Sequence, residues 1–282
     1  MNITWKKVGF IFALSLVFSS GCVTEQTQAE KTQTVVYAND FSDDTLNDFI
    51  VTQEGFAQIS IEDGRLRIDP GEGYLNRGII ALDLNDFTDV YQSVLSENIG
   101  KIIYAFNVSN IDGSSCGGCN NSFSLNVFSQ PDTHESSAFG YTLSGGGYAG
   151  EQFRFFRHAL ARSKYGPVDD YLIIENNGLA NAPQIGAFRL EYTPDVGSWV
   201  LYFESSTEML DPLSITQQVG QANDSEFAGD ALPYVILSSE NTETAFFDNF
   251  SVIIVTSHSR ILPSRPAPRH PRIPPSRPSP SG

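Results

Sequence analysis

From residue 56 to residue 255 the chain is a succession of short runs in which apolar and polar residues alternate, separated by clusters of Gly, Asn, Asp and Pro. A β-strand points successive side chains to opposite faces, so a period of two marks a half-buried sheet and is foreign to an amphipathic helix. In Ala187-Phe188-Arg189-Leu190-Glu191-Tyr192 the bulky apolar residues share one face and the charged residues the other. On this basis strands are expected over 56–62, 65–69, 78–84, 102–108, 123–129, 139–143, 152–157, 171–175, 185–193, 198–204, 233–238 and 245–255. Glu62-Asp63-Gly64-Arg65 reads as a tight hairpin, because Asp-Gly favours a primed turn. Thr193-Pro194-Asp195-Val196-Gly197 reads as a second turn, and 86–98 as one short helix. About a dozen strands without long helices imply an all-β fold of two packed antiparallel sheets.

The two ends have a different character. Lys6 and Lys7 precede a largely apolar run, Val8 to Phe18, and then Ser19-Ser20-Gly21. That run is too short to span a bilayer, which takes about 20 apolar residues, and its flanks are those of a secretory signal peptide over 1–21. Cys22 after Ser-Ser-Gly resembles the lipobox of bacterial lipoproteins, with Ser19 where Leu is usual. The resemblance implies a lipidated Cys22 and anchorage to a membrane; the alternative is ordinary cleavage beside an incidental cysteine. Residues 22–34 are mostly polar and aperiodic and are expected to form a flexible tether. The folded domain is expected over 35–255. Residues 256–282 carry five Arg, no acid and many Pro, the composition of a disordered tail. That tail is either a basic arm or the product of a shifted reading frame.

Formal charge is −16, and it is unevenly placed. Between positions 23 and 255 ten basic residues face 33 acidic ones, a net of −23. Such a body excludes nucleic acid as a partner, since phosphate backbones select basic surfaces. Its 20 Phe and 11 Tyr supply enough apolar area for one sizeable core.

Four stretches suggest a family. Asn39-Asp40-Phe41-Ser42-Asp43-Asp44 opens the domain, and Glu62-Asp63-Gly64-Arg65-Leu66 follows as a hairpin. Gly197-Ser198-Trp199-Val200-Leu201-Tyr202 comes late, and Phe247-Asp248-Asn249-Phe250-Ser251-Val252 closes it. Their order resembles the concanavalin A-like lectin/glucanase superfamily and jelly-roll domains of exported bacterial proteins. The resemblance implies a two-sheet antiparallel jelly-roll sandwich. It leaves activity open, because this architecture hosts lectins, binding modules, hydrolases and lyases.

Several residues are candidates for chemistry. Cys116-Gly117-Gly118-Cys119, in an exported chain without a second such motif, is expected to form a Cys116–Cys119 disulfide. Asp40, Asp43, Asp248 and Asn249 lie at the two ends of the domain. Jelly rolls commonly pair their first and last strands, so these oxygens are candidates for a structural Ca²⁺, a hard cation that takes oxygen ligands. The competing reading is solvated turns. Gly145-Gly146-Gly147-Tyr148 reads as a tight glycine loop displaying a Tyr. Arg154, Arg157, Arg162 and Lys164 form the one dense basic cluster of the acidic body. Strand parity puts Arg154 on the face opposite Phe153, Phe155 and Arg157. Arg154, with Tyr148 and Tyr165, is therefore the candidate binding set for an anionic glycan, and Arg157 the candidate for an internal ion pair. The Glu-x-Asp-x-x-Glu run of retaining glucanases is missing from the sequence. The expectation is a lipid-anchored, non-catalytic glycan-binding protein of the bacterial envelope. A polysaccharide lyase or glycoside hydrolase of the same fold, and a structural or adhesive surface protein, are the alternatives.

Overall fold

The computed structural model describes residues 28–71, 76–109, 123–129, 140–145, 153–158, 162–163, 166–167, 171–176, 185–227, 233–240 and 244–260. In chain order its strands are β1 (Gln28–Asn39), β2 (Ile50–Glu54), β3 (Gln58–Glu62), β4 (Arg65–Asp69), β5 (Arg77–Asp83) and β6 (Lys101–Ser109). They continue as β7 (Phe123–Ser129), β8 (Gly140–Gly145), β9 (Phe153–His158), β10 (Arg162–Ser163), β11 (Gly166–Pro167) and β12 (Tyr171–Asn176). The last are β13 (Ile185–Thr193), β14 (Ser198–Ser206), β15 (Gln218–Asn223), β16 (Tyr234–Glu240) and β17 (Ala245–Arg260). A short helix, α1 (Val90–Ser96), falls inside the span expected to be helical.

Two antiparallel sheets face each other. One runs β15-β14-β13-β6-β17-β4-β3, with β1 also paired to β17; the other runs β12-β9-β8-β7-β16-β5-β2. These are the two packed antiparallel sheets that the alternation implies, in the jelly-roll sandwich that the resemblance implies. Its core is aromatic. Phe106 stacks on Phe188 at 5.2 Å, and Phe123 and Phe153 pack against Phe188 at 5.3 and 5.6 Å. Tyr192 and Tyr141 pack on Trp199 at 4.3 and 4.7 Å. Each such contact stabilises by about 0.5–1.5 kcal/mol beyond the area it buries.

Local chemistry sets the turns. Asp63 and Gly64, at φ 53° and 70°, make the hairpin between β3 and β4, whose register closes on Glu62 opposite Arg65. Gly197 takes φ 60° after a single turn at Pro194–Val196. Phe128 adopts φ 52° where the β7–β16 register shifts, and both Val127 and Phe128 then lie in the core. A bulge of this kind sends two consecutive side chains to one face. A Cβ on Gly140 would sit 2.5 Å from the Phe128 carbonyl oxygen, so glycine is required opposite the bulge.

The first and last strands do pair. β17 holds β4 through Ala245–Phe247 and β1 from Phe250 to Arg260, with β6 along its other side as far as Val255. The change of partner falls at Asp248 and Asn249, where the β6 register shifts and Asn249 takes φ 47°. Asn tolerates this left-handed region better than most residues. The ladder corrects two boundaries. Residues 28–34, expected as tether, and 256–260, expected as tail, are paired strand from Gln28↔Arg260 inward. Interstrand hydrogen bonds supply there what apolar periodicity does not.

Candidate functional site

Strand alternation gives the seven-stranded sheet two faces of different chemistry. Phe123, Leu125 and Val127 of β7, Tyr141 and Leu143 of β8, Phe153 and Phe155 of β9, and Val235 and Leu237 of β16 point into the core. The intervening residues take the opposite face. Cross-strand register aligns them in two rows. One reads Ile79–Ser238–Ser124–Ser144–Arg154 across β5, β16, β7, β8 and β9. The next reads Ala81–Ile236–Asn126–Thr142–Phe156 across the same strands. Glu175 of β12 extends the first row, opposite Arg154.

The rows divide into three zones. On β5 and β16, Ile79, Ala81 and Ile236 form a small apolar cluster separate from the main core, with Tyr234 packed on it. On β7, β8 and β16 the face is polar and closed. The Ser124 and Ser238 hydroxyls lie 2.6 Å apart, and Thr142 Oγ1 donates to Asn126 Oδ1. On β9 stands Arg154. Of the ten positions eight are buried and Asn126 is half-buried, whereas Arg154 is exposed. These ten positions hold no carboxylate and no histidine.

Arg157 follows the parity argument. Its Nη1 lies 3.1 Å from Asp224 Oδ2 and 3.3 Å from Glu226 Oε2. Tyr141 Oη donates to Asp224 Oδ1 at 2.7 Å, and Trp199 Nε1 donates to the Asp224 carbonyl oxygen at 2.9 Å. Burial pushes the Tyr141 hydroxyl well above the usual tyrosine range, and the bond to Asp224 adds to this. It therefore remains a donor across ordinary pH. Asp224 thus ties the segment after β15, in one sheet, to β8 and β9 in the other. No sequence motif marks it.

The four residues named for calcium form turns. Asp40 Oδ1 accepts from the Ser42 amide at 3.1 Å and the Ser42 hydroxyl at 2.7 Å, and Asp43 Oδ1 accepts from the Thr45 amide at 3.2 Å. Asp248 Oδ1 accepts from the Asn249 amide at 2.7 Å, and Asn249 Nδ2 donates to Asn107 Oδ1 at 2.9 Å. Burial raises the Asp248 carboxyl pKa and the charge of Asp40 raises it further, while the Asn249 amide and Arg65 pull it down. Asp40 and Asp248 therefore do feel each other. Among the described residues, however, no three Asp, Glu, His or Cys side chains gather into a group able to hold a metal. Asp40, Asp43 and Asp248 each accept from their own local backbone through Oδ1.

Glu204 of β14 is likewise structural. Its Oε1 accepts from the Thr216 and Gln217 amides at 2.6 and 3.0 Å, and these bonds lower its pKa. Gly145 is needed for packing, since a Cβ there would lie 2.3 Å from the Phe123 ring. Cys22, Cys116, Cys119, Tyr148 and Tyr165 lie outside the described residues.

No protein-family model matches the sequence, and no curated protein matches it. Solved structures do. The exoplasmic/lumenal domain of VIP36 in its Ca²⁺/Man-bound form superposes with a TM-score of 0.51 at 6% identity, over 81% of this chain and 98% of that one. Peanut lectin gives 0.47 at 10% identity over 82% and 100%, and winged bean acidic lectin complexed with methyl-α-D-galactose gives 0.46 at 10% over 82% and 100%. The likeness shows a shared architecture: this chain has a concanavalin A-like jelly-roll fold.

Proposed function

We propose that this chain is a non-catalytic glycan-binding lipoprotein of the bacterial envelope, anchored through Cys22, whose ligand is an anionic polysaccharide or cell-surface glycan met at Arg154. The observation that carries the site is the contrast across the outer face of the seven-stranded sheet. Its centre is buried and internally hydrogen-bonded, and Arg154 is the exposed member of the two rows. A guanidinium presents paired N–H donors that match a carboxylate or sulfate. Tyr148, three residues beyond β8, and Tyr165, seven beyond β9, would add rings on which a sugar can stack.

The binding reading is favoured over hydrolysis because a glycosidase needs two carboxylates flanking the scissile bond. The first row, continued into β12, holds one, Glu175, and the second row across the five central strands holds none. The test is a panel of neutral and anionic polysaccharides, read for binding and for release of reducing ends or unsaturated uronates. Binding to uronate- or sulfate-bearing polymers without release is expected. Release of products would make the chain an enzyme, and a panel without any binder would favour a structural role.

A further inference from the structure

We propose that the hydroxyls of Tyr192, Tyr104 and Tyr91 together bind a water molecule inside the sandwich, a buried structural ligand that fastens α1 and β13 to β6. The site is independent of glycan binding, since none of the three phenols belongs to either outer row.

Three elements assemble the site. Register pairs Tyr192 of β13 with Ile102 of β6, and Leu190 with Tyr104. Tyr192 and Tyr104 are thus diagonal neighbours on the core face, about 7–8 Å apart and within reach of long side chains. Tyr91 comes from α1, and its hydroxyl meets that of Tyr104 at 3.3 Å. All three residues are 0% exposed and belong to the main core. Phe128, at the β7 bulge, is their common neighbour. Its ring centroid lies 5.3 Å from that of Tyr192, 6.2 Å from that of Tyr91 and 6.5 Å from that of Tyr104.

Hydrogen-bond accounting identifies the ligand. Tyr192 Oη is buried and has no hydrogen-bond partner among the described residues. A buried hydroxyl in that state carries its full desolvation penalty, so native folds supply a partner. The neighbouring core shows the usual solution, with Tyr141 Oη donating to Asp224 Oδ1. The Tyr91–Tyr104 contact, at 3.3 Å, is long for two hydroxyl oxygens, which usually meet at about 2.7–2.8 Å. A hydroxyl has one donor and two lone pairs, so Tyr104 Oη keeps capacity for a further partner. A water accepts the Tyr192 proton and donates to the Tyr104 oxygen, and a Tyr91 lone pair completes the set of about three bonds that buried waters make. Electrostatics places the hydroxyls together. Burial raises the Tyr192 hydroxyl pKa to about 12, and the Asp224 charge adds to this. Burial raises the Tyr91 and Tyr104 hydroxyls too, and the charge of Tyr192 is among the smaller causes in both. All three therefore stay protonated at ordinary pH.

The experiment is a double-mutant cycle read by urea unfolding of the full-length chain: wild type, Tyr192→Phe, Tyr104→Phe and the double variant. Removing one end of a water bridge should lower the folding equilibrium constant about threefold to tenfold in Tyr192→Phe. A hydroxyl without a ligand is relieved by its own removal, so an unchanged or raised constant overturns the proposal. Tyr192 and Tyr104 share no direct hydrogen bond, so their losses multiply unless a ligand joins them. The loss in the double variant should fall short of that product by more than about twofold, and agreement within about twofold overturns the proposal. Coupling of Tyr192 to Tyr141→Phe in place of Tyr104→Phe would put the water beside Asp224 and overturns it likewise. Crystallography of the wild-type protein reads the ligand directly. A density peak within hydrogen-bond distance of both Tyr192 Oη and Tyr104 Oη is expected, and well-ordered phenols without such a peak overturn the proposal even where the two residues couple.

Discussion

Replacing Asp224 by Ala tests what holds the two sheets in register. The Asp224 side chain is 7% exposed, and that of its partner Arg157 is 20% exposed. Asp224→Ala leaves the Arg157 guanidinium without its 3.1 Å contact and the Tyr141 hydroxyl without its 2.7 Å acceptor. An orphaned donor costs about 1–3 kcal/mol, and breaking a fully buried ion pair costs about 3–5 kcal/mol. The second figure is an upper bound here, because Arg157 keeps Glu226 at 3.3 Å, an acid 64% exposed to water. A loss of roughly 2–4 kcal/mol follows. For a domain of this size that corresponds to a fall in Tm of roughly 5–15 °C. Asp224→Asn keeps an acceptor for Tyr141 and loses only the charge, so it should cost less than Ala. Urea unfolding of the two variants, with m unchanged, reads these differences. A loss below about 0.5 kcal/mol for Asp224→Ala would refute the reasoning, since that is the range of an ordinary surface substitution.

Three other outcomes follow from the same geometry. The raised Asp248 carboxyl pKa means the fold binds its proton more tightly than the unfolded chain does, so its contribution to stability falls as pH rises through and above the ordinary carboxylate range. Asp248→Asn should therefore raise Tm at neutral pH, with the gain vanishing below about pH 4; a gain independent of pH would contradict this. Gly145→Ala forces a Cβ against Phe123, whose ring is already wedged between Phe106, Phe188 and Phe247, and should cost about 1–3 kcal/mol in urea unfolding. Chelator should leave the melt of the wild-type protein unchanged, and a chelator-sensitive Tm would mean that Asp40 and Asp248 recruit a cation that their turn hydrogen bonds do not suggest.

What could be read in the sequence was whatever local chemistry decides. The β3–β4 hairpin follows from Asp63-Gly64, the turn before β14 from Pro194 and Gly197, and the separate faces of Arg154 and Arg157 from strand parity. Two of the strands that escaped, β2 and β15, are only slightly buried. β2 exposes both Ile50 and Val51, so no alternation marks it. β15, Gln-Val-Gly-Gln-Ala-Asn, is an edge strand held by its ladder with β14. The outer rows were half legible. Ser124 and Asn126 between Phe123, Leu125 and Val127 declare an opposite face, but only the fold brings Ser124 beside Ser238, 114 residues away. Asp224 was hidden for the same reason, since its partners come from β8, β9 and β14. For the aspartates nominated for calcium, pairing of β1 with β17 brings Asp40 and Asp248 into mutual influence, as reasoning from the chain ends expects, and one oxygen of each serves a local turn.

The central claim is that Arg154 recognises an anionic group on a glycan, and one titration tests it. Take the polysaccharide that binds best in the panel and measure its affinity for the wild-type protein and for Arg154→Ala. A desolvated charge-assisted contact contributes roughly 1.5–3 kcal/mol, so the variant should bind about tenfold to a hundredfold more weakly, with its melt nearly unchanged. Equal affinity for the two proteins, or a best ligand that carries no anionic group, would contradict the account.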